Sequence, residues 1–224
     1  MSDINTAAGR YTTIAGEHRS ELEIKRSRFI TVLRRTGTED EARSLVAELR
    51  REFHDARHHC SAFVLGPSRE VQRSNDDGEP SGTAGLPMLE ALTKRETFDG
   101  ATDLSDITAV TVRYFGGILL GAGGLVRAYS ESVSSALATA PLLRRRRMRL
   151  YAVPAGHADA GRLENDLRNA GFAVTGTEYG AAGATIRVAL PDVPGSAGGF
   201  RDRLAALTAG GSTPEPLATE WIDL

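Results

Sequence analysis

Cysteine is almost absent. The single thiol among 224 residues, Cys60, cannot close an intramolecular disulfide, and such usage fits a reducing compartment. Aromatic residues are scarce at 6%. No apolar run approaches the roughly 20 residues that a membrane-spanning helix needs. The opening stretch, MSDINTAAGRYTT, lacks the basic-then-apolar order of a secretory signal. An excess of one charge is missing too: 27 basic against 29 acidic side chains give a net charge of −2, which excludes neither an acidic nor a basic partner. What remains, 41% hydrophobic and 25% charged residues, is the composition of a soluble globular protein, large enough for one big domain or two small ones. A cytoplasmic protein with no membrane segment is expected.

Periodicity divides the chain. Residues 11–15 and 21–33 read as a pair of strands around a polar turn. Ala42, Leu45, Val46, Leu49 and Phe53 repeat at helical spacing over 39–53, with Thr38 and Glu41 placed as a capping pair. Strands are expected at 58–65, from 71 and at 107–115, and helices from about 86 and over 125–138. Near Pro141 the texture changes, and the run Arg144-Arg145-Arg146-Arg147-Met148-Arg149 reads as a boundary segment. Beyond it strands and helices follow the order β-α-β-β-α-β (150–154, 158–169, 171–178, 183–190, 197–208, 217–223), the ferredoxin-like pattern. Two domains result, 1–142 and 148–224, both α+β.

Two glycine-bearing strand-to-helix junctions carry the chemistry. Residues 74–85, SNDDGEPSGTAG, combine Asp76, Asp77 and Glu79 with Ser81 and Thr83 just before a helix start. Free N–H groups at a helix start attract anions, and carboxylates can hold Mg²⁺ or act as bases. The pairing implies either a metal-bridged phosphate or a loop that pins itself, since Asp-Asp-Gly also makes ordinary turns. The second junction, 113–124, places Arg113, Gly116, Gly117, Gly124 and nearby Arg127 around another strand end. It lacks the Lys-Ser/Thr of a phosphate loop and the third glycine of a dinucleotide fold. Its two arginines could grip phosphate, and equally Arg113 could pair with the acidic loop. His54 and His58 stand four apart, but a strand beginning at His58 removes the shared helix face that zinc needs. His58 shares a strand face with Cys60, yet no third residue completes a catalytic set, so Cys60 reads as a buried structural thiol. No metal, cofactor or catalytic residue is assigned. The basic run is of the kind that touches RNA backbones, although such runs are more often solvated surface.

Long uncommon strings, KRSRFI at 25–30, ARHHCSA at 56–62, residues 76–85, and RYFGG through GGLVRAY over 113–129, resemble the YigZ/IMPACT family. The resemblance implies an N-terminal α/β sandwich like the second domain of a small-subunit ribosomal protein. It also implies a C-terminal ferredoxin-like domain similar to those of elongation factor G. Relatives usually carry Asn where this chain has His59. The expected function is a translation-associated regulatory or RNA- or ribosome-binding protein, with a protein partner in translation control as a further expectation. Ser81, Thr83, Arg113, Gly116, Gly117, Gly124 and Arg127 would meet the anion, and His58, Asp76, Asp77 and Glu79 would line the site. The alternative is an enzyme for a phosphorylated or nucleotide substrate, using a carboxylate-bound cation.

Overall fold

Alternation of side chains along the strands explains how the first half of the chain is layered. The computed structural model describes residues 9–224 and separates two units, 1–144 and 145–224. The first unit contains β1 (Arg10–Ile14), β2 (His18–Ile24), β3 (Ser27–Arg35), α1 (Glu39–Glu52), β4 (His58–Leu65) and β5 (Val71–Asn75). Then come α2 (Gly85–Thr93), a short 3₁₀ turn at Phe98–Gly100, β6 (Ile107–Tyr114) and α3 (Ala122–Thr139). Five of these strands form an antiparallel sheet in the order β2-β3-β6-β4-β5. Phe29, Leu33, Cys60, Ala62, Val64, Ile107 and Ala109 point to one face and form the main core with Met88 and Leu92 of α2 and Leu125, Tyr129 and Val133 of α3. Val32 and Val110, one residue out of phase, face the other way and meet Leu45 and Leu49 of α1. The capping pair forms as expected: Thr38 Oγ1 accepts from Glu41 N at 3.2 Å, and Glu41 Oε2 accepts from Gly37 N at 2.6 Å.

The expected single strand over 21–33 is instead a hairpin. Ile24 pairs with Ser27, and Lys25 and Arg26 turn the chain with φ of 47° and 64°. A two-residue turn that matches sheet twist needs positive φ at both positions, and here residues without the usual turn chemistry adopt it. The partner of β3 is therefore β2 and not the segment at 11–15.

The second unit holds most of β7 (Leu142–Ala155), then α4 (His157–Asn169), β8 (Ala173–Tyr179), β9 (Ala184–Pro191), α5 (Ser196–Thr208) and β10 (Glu215–Asp223). Its strands lie in the antiparallel order β10-β7-β9-β8, the ferredoxin-like arrangement. Leu163 and Leu167 of α4 and Phe200 and Leu204 of α5 bury against Tyr151, Val153, Ile186 and Val188. The arginine run is strand, the first half of β7, and the division between the two units falls within it, after Arg144. Its charges are also largely spent. Arg147 and Arg149 share Asp192 at 2.9 and 3.5 Å, Arg145 pairs with Asp223 at 2.8 Å, and Arg144 pairs with Asp99 while stacking 4.4 Å from the centre of the Phe98 ring. Among the described residues, no helix is long and apolar enough to cross a membrane.

Candidate functional site: a cleft between two loops

The acidic loop closes on itself. Asp76 Oδ1 accepts from the N–H groups of Ala84 and Gly85 at 3.0 and 2.8 Å, and Oδ2 accepts from Gly82 at 2.8 Å. The anion at the start of α2 is therefore the chain's own carboxylate. Burial pushes this carboxyl upward, but the three N–H donors outweigh it and hold the group below the ordinary carboxylate value of 3.8. A folded-state value below the unfolded one gives stability that is full above 3.8 and is lost as pH falls through the folded value. Asp76→Ala is expected to cost about 2–3 kcal/mol, since it removes a helix cap and strands charge-assisted donors. Asp76→Asn should flatten the loss of stability at acid pH. Urea denaturation at pH 7 and below pH 4 checks both, and an unchanged acid limb in Asp76→Asn would contradict the assignment.

Asp77, with φ of 45°, is equally occupied. Its carboxylate pairs with Arg50 and accepts from His59 N at 2.6 Å. Its carbonyl oxygen lies 2.9 Å from His58 Nδ1, which donates to it. His59 lies on the opposite face of β4 and is buried, so desolvation, with the charge of Arg50, pushes its pKa down.

Glu79 supplies the third carboxylate and the centre of a buried network. Its side chain is 4% exposed and that of Arg113 8%, and Glu79 Oε1 accepts from Arg113 Nη1 at 2.7 Å and from the Tyr129 hydroxyl at 2.8 Å. Cys60 Sγ completes the chain, 3.3 Å from the Tyr129 oxygen and 3.0 Å from the carbonyl of Asp76. Burial pushes the Cys60 thiol up to about 12, against the lowering effect of Tyr129, so the sulfur is inert at neutral pH. The Tyr129 ring sits edge-on to Phe29 at 5.2 Å, and the Arg113 guanidinium lies between the Phe29 and Phe115 rings at 5.5 and 5.8 Å. One guanidinium nitrogen, Arg113 Nε, is buried without an acceptor.

Above this network opens a cleft of about 590 Å³. Arg57, His58 and Arg113 form one side, Glu79 and Pro80 a second, and the loop from Phe115 to Ala122 a third. Tyr114 joins the rim, its hydroxyl donating to Asp55 Oδ1 at 2.7 Å. Phe115 is 55% and Leu119 84% exposed, uncommon values for large apolar side chains. The N-terminus of α3 enters the cleft through Gly121 and Ala122, and no side chain caps it. Its first N–H groups and the positive end of its dipole are thus available to an anion.

The two junctions singled out in the sequence meet here, but not every residue contributes. Arg113, Glu79 and His58 line the cleft. Thr83 is buried, its hydroxyl donating to the Pro80 carbonyl at 2.6 Å, while Ser81 is exposed on the loop. Gly116 donates its N–H to Ser27 Oγ at 3.2 Å. Gly117 is exposed with φ of 83°, Gly124 packs in the first turn of α3 against Leu120, and Arg127 is exposed on the same helix. Asp76 and Asp77 shape the loop from behind. Sequence reasoning missed Arg57, Asp55, Arg50 and the network role of Tyr129. The available signal was a tyrosine inside an apolar helical stripe, because a buried phenol demands a partner.

A sheet with helices on both faces, followed by a ferredoxin-like unit and carrying this two-loop cleft, defines a two-part α+β protein. Residues 25–137 match the Impact N-terminal domain, and residues 154–210 match a domain of unknown function, DUF1949. The chain is 46% identical over 165 residues to the IMPACT family member YvyE of Bacillus subtilis, covering 74% of this chain and 72% of that one. It is 41% identical to the IMPACT family member YigZ of Escherichia coli, over 75% and 80% of the two chains. A solved structure described as a hypothetical protein, 35% identical, superposes over 94% of this chain and 98% of that one with a TM-score of 0.59. The chain belongs to the IMPACT family.

Proposed function

We propose that the chain is a translation-associated RNA-binding protein and that the cleft of its first unit takes a single-stranded segment. The observation that carries this reading is the meeting, in one cleft, of spare N–H donors with an exposed ring. The uncapped start of α3 offers hydrogen bonds to phosphate oxygens, and Phe115 offers a stacking face for a base. Arg57 on the lining adds positive charge, and Arg127 lies exposed on α3. The arginine run of β7 contributes less than its sequence suggests, because most of its guanidinium groups already hold carboxylates. The expected likeness of the chain's two domains to a ribosomal-protein domain and to elongation factor G suggests the cellular context. Enzymatic use of a carboxylate-held cation is the weaker reading. Asp76, Asp77 and Glu79 are each engaged by internal donors, and among the described residues no three His, Cys, Asp or Glu side chains are grouped as ligands.

The test is fluorescence anisotropy with a labelled ten-nucleotide RNA at two salt concentrations. With three or four phosphate contacts on a single strand, affinity should fall by about thirtyfold between 50 and 200 mM KCl. Phe115→Ala should cost about 1–3 kcal/mol of binding by loss of stacking. Absence of binding at 50 mM, or binding indifferent to salt, would remove the proposal.

A further inference from the structure

A second recess lies on the opposite side of the sheet and is independent of the cleft. The sheet ends at β5, which pairs with β4 alone. Helix α1 covers β3 and β6 through Leu45 and Leu49 and stops short of this edge. A groove of about 470 Å³ is left between α1 and β5, with Ala42 and Val46 on the helix wall and Phe63 of β4 on the floor. The register places Arg73 opposite Phe63 and Asn75 opposite Ser61, so the side chains of Arg73 and Asn75 lie on the groove face of the sheet. Among the described residues, the backbone of Val71–Ser74 bonds only to β4 and, at the Gln72 carbonyl, to the Arg73 side chain. Its outer row of N–H and C=O groups is a template for another strand.

We propose that this groove docks an extended acidic peptide segment of a partner protein, which adds to the sheet along β5. Three observations select the occupant. An open edge beside a helix, over an apolar floor, provides main-chain pairing for affinity and a slot for alternate side chains, the geometry of strand addition. The charge of the groove comes from arginines, two of which are already satisfied: Arg43 holds Glu39 and Asp40, and Arg50 holds Asp77. Arg73 has no carboxylate partner among the described residues and donates only to the neighbouring Gln72 carbonyl, at 2.9 Å. It therefore selects a carboxylate on the incoming strand. A second copy of this chain is the poorer occupant. Arg73 is the middle residue of the five in β5, so antiparallel self-pairing about that centre sets Arg73 against Arg73.

The experiment uses the full chain and a fluorescein-labelled seven-residue peptide alternating glutamate with valine, with a control carrying lysine for each glutamate. The acidic peptide should bind and the lysine peptide should not. Amide signals of residues 71–75 and of α1 should shift on titration, while those of Phe115–Leu125 stay in place. Arg73→Glu, an exposed change that leaves the core untouched, should weaken the acidic peptide by about tenfold, the worth of one partly exposed ion pair with its hydrogen bond. It should also admit the lysine peptide. Equal binding of both peptides, no binding of the acidic one, or shifts confined to the cleft would overturn the proposal. So would a dimer in sedimentation equilibrium that Arg73→Val tightens and the acidic peptide does not dissociate, because the edge would then belong to a second copy.

Discussion

Glu79→Ala is expected to lower the stability of the first unit by about 3–5 kcal/mol, the cost of leaving one member of a buried ion pair without its partner. The side chains of Glu79 and Arg113 are 4% and 8% exposed, so solvent cannot replace the missing carboxylate. The damage spreads along the network. Tyr129, wholly buried, loses the acceptor of its hydroxyl, and Cys60 is left bonded to a phenol with no fixed orientation. Whole domains have only about 5–15 kcal/mol to lose. Circular dichroism during urea denaturation should show the transition move to lower denaturant. A loss below about 1 kcal/mol would mean that the pair is hydrated in solution.

The double variant Glu79→Leu/Arg113→Met separates two roles of the pair. Replacing both ions by apolar groups of similar volume is often neutral or stabilising, so most of the lost stability should return. RNA affinity should stay low, because the guanidinium that faces the cleft is gone. Recovery of stability together with recovery of binding would show that Arg113 is scaffolding alone.

Sequence reasoning reached the class of the fold and the meeting of the two loops, because both rest on local periodicity and on where glycine accumulates. It stopped wherever the answer depended on which group reaches a donor first. The start of α2 does offer N–H groups to an anion, but the anion is Asp76, and a turn through Asp77 and Gly78 is needed to bring it there. Phosphate and an internal carboxylate are equivalent to a sequence pattern. Arg113 was open in the same way between phosphate and the acidic loop. The register that sets it opposite His58 decides for Glu79 and still leaves Nε unspent. The strand character of the arginine run and the Lys25-Arg26 turn were missed for another reason. Strand pairing overrode local preference: salt bridges to Asp192 and Asp223 let charged residues form β7, and the paired β2 and β3 hold two non-glycine residues at positive φ.

Glycine in the second junction is required for two different physical reasons at Gly116 and Gly117 and for none at Gly123, and alanine should reveal each case. At Gly116 a Cβ would fall 2.0 Å from the Arg26 carbonyl carbon, 2.1 Å from its oxygen and 2.5 Å from Ser27 N. These are backbone atoms of the β2–β3 turn, already held at positive φ, and Ser27 is fully buried beneath them. Nothing flexible can give way, so Gly116→Ala is expected to cost about 3 kcal/mol, the upper end of overpacking, and to displace the Phe115–Gly121 loop. At Gly117 the space is open but φ is +83°, so Gly117→Ala should cost about 1–2 kcal/mol through backbone strain alone. Gly123 is helical with nothing within 4 Å of a new Cβ, and Gly123→Ala should stabilise by about 0.5–1 kcal/mol. Measured by urea denaturation, that order of effects, one large loss, one moderate loss and one gain, distinguishes close approach from conformational freedom. RNA affinity adds the functional half: Gly116→Ala should weaken binding most, because it moves the stacking ring and the entry to α3 together. If Gly116→Ala and Gly123→Ala bind RNA equally well, the loop does not form the binding surface, whatever their stabilities.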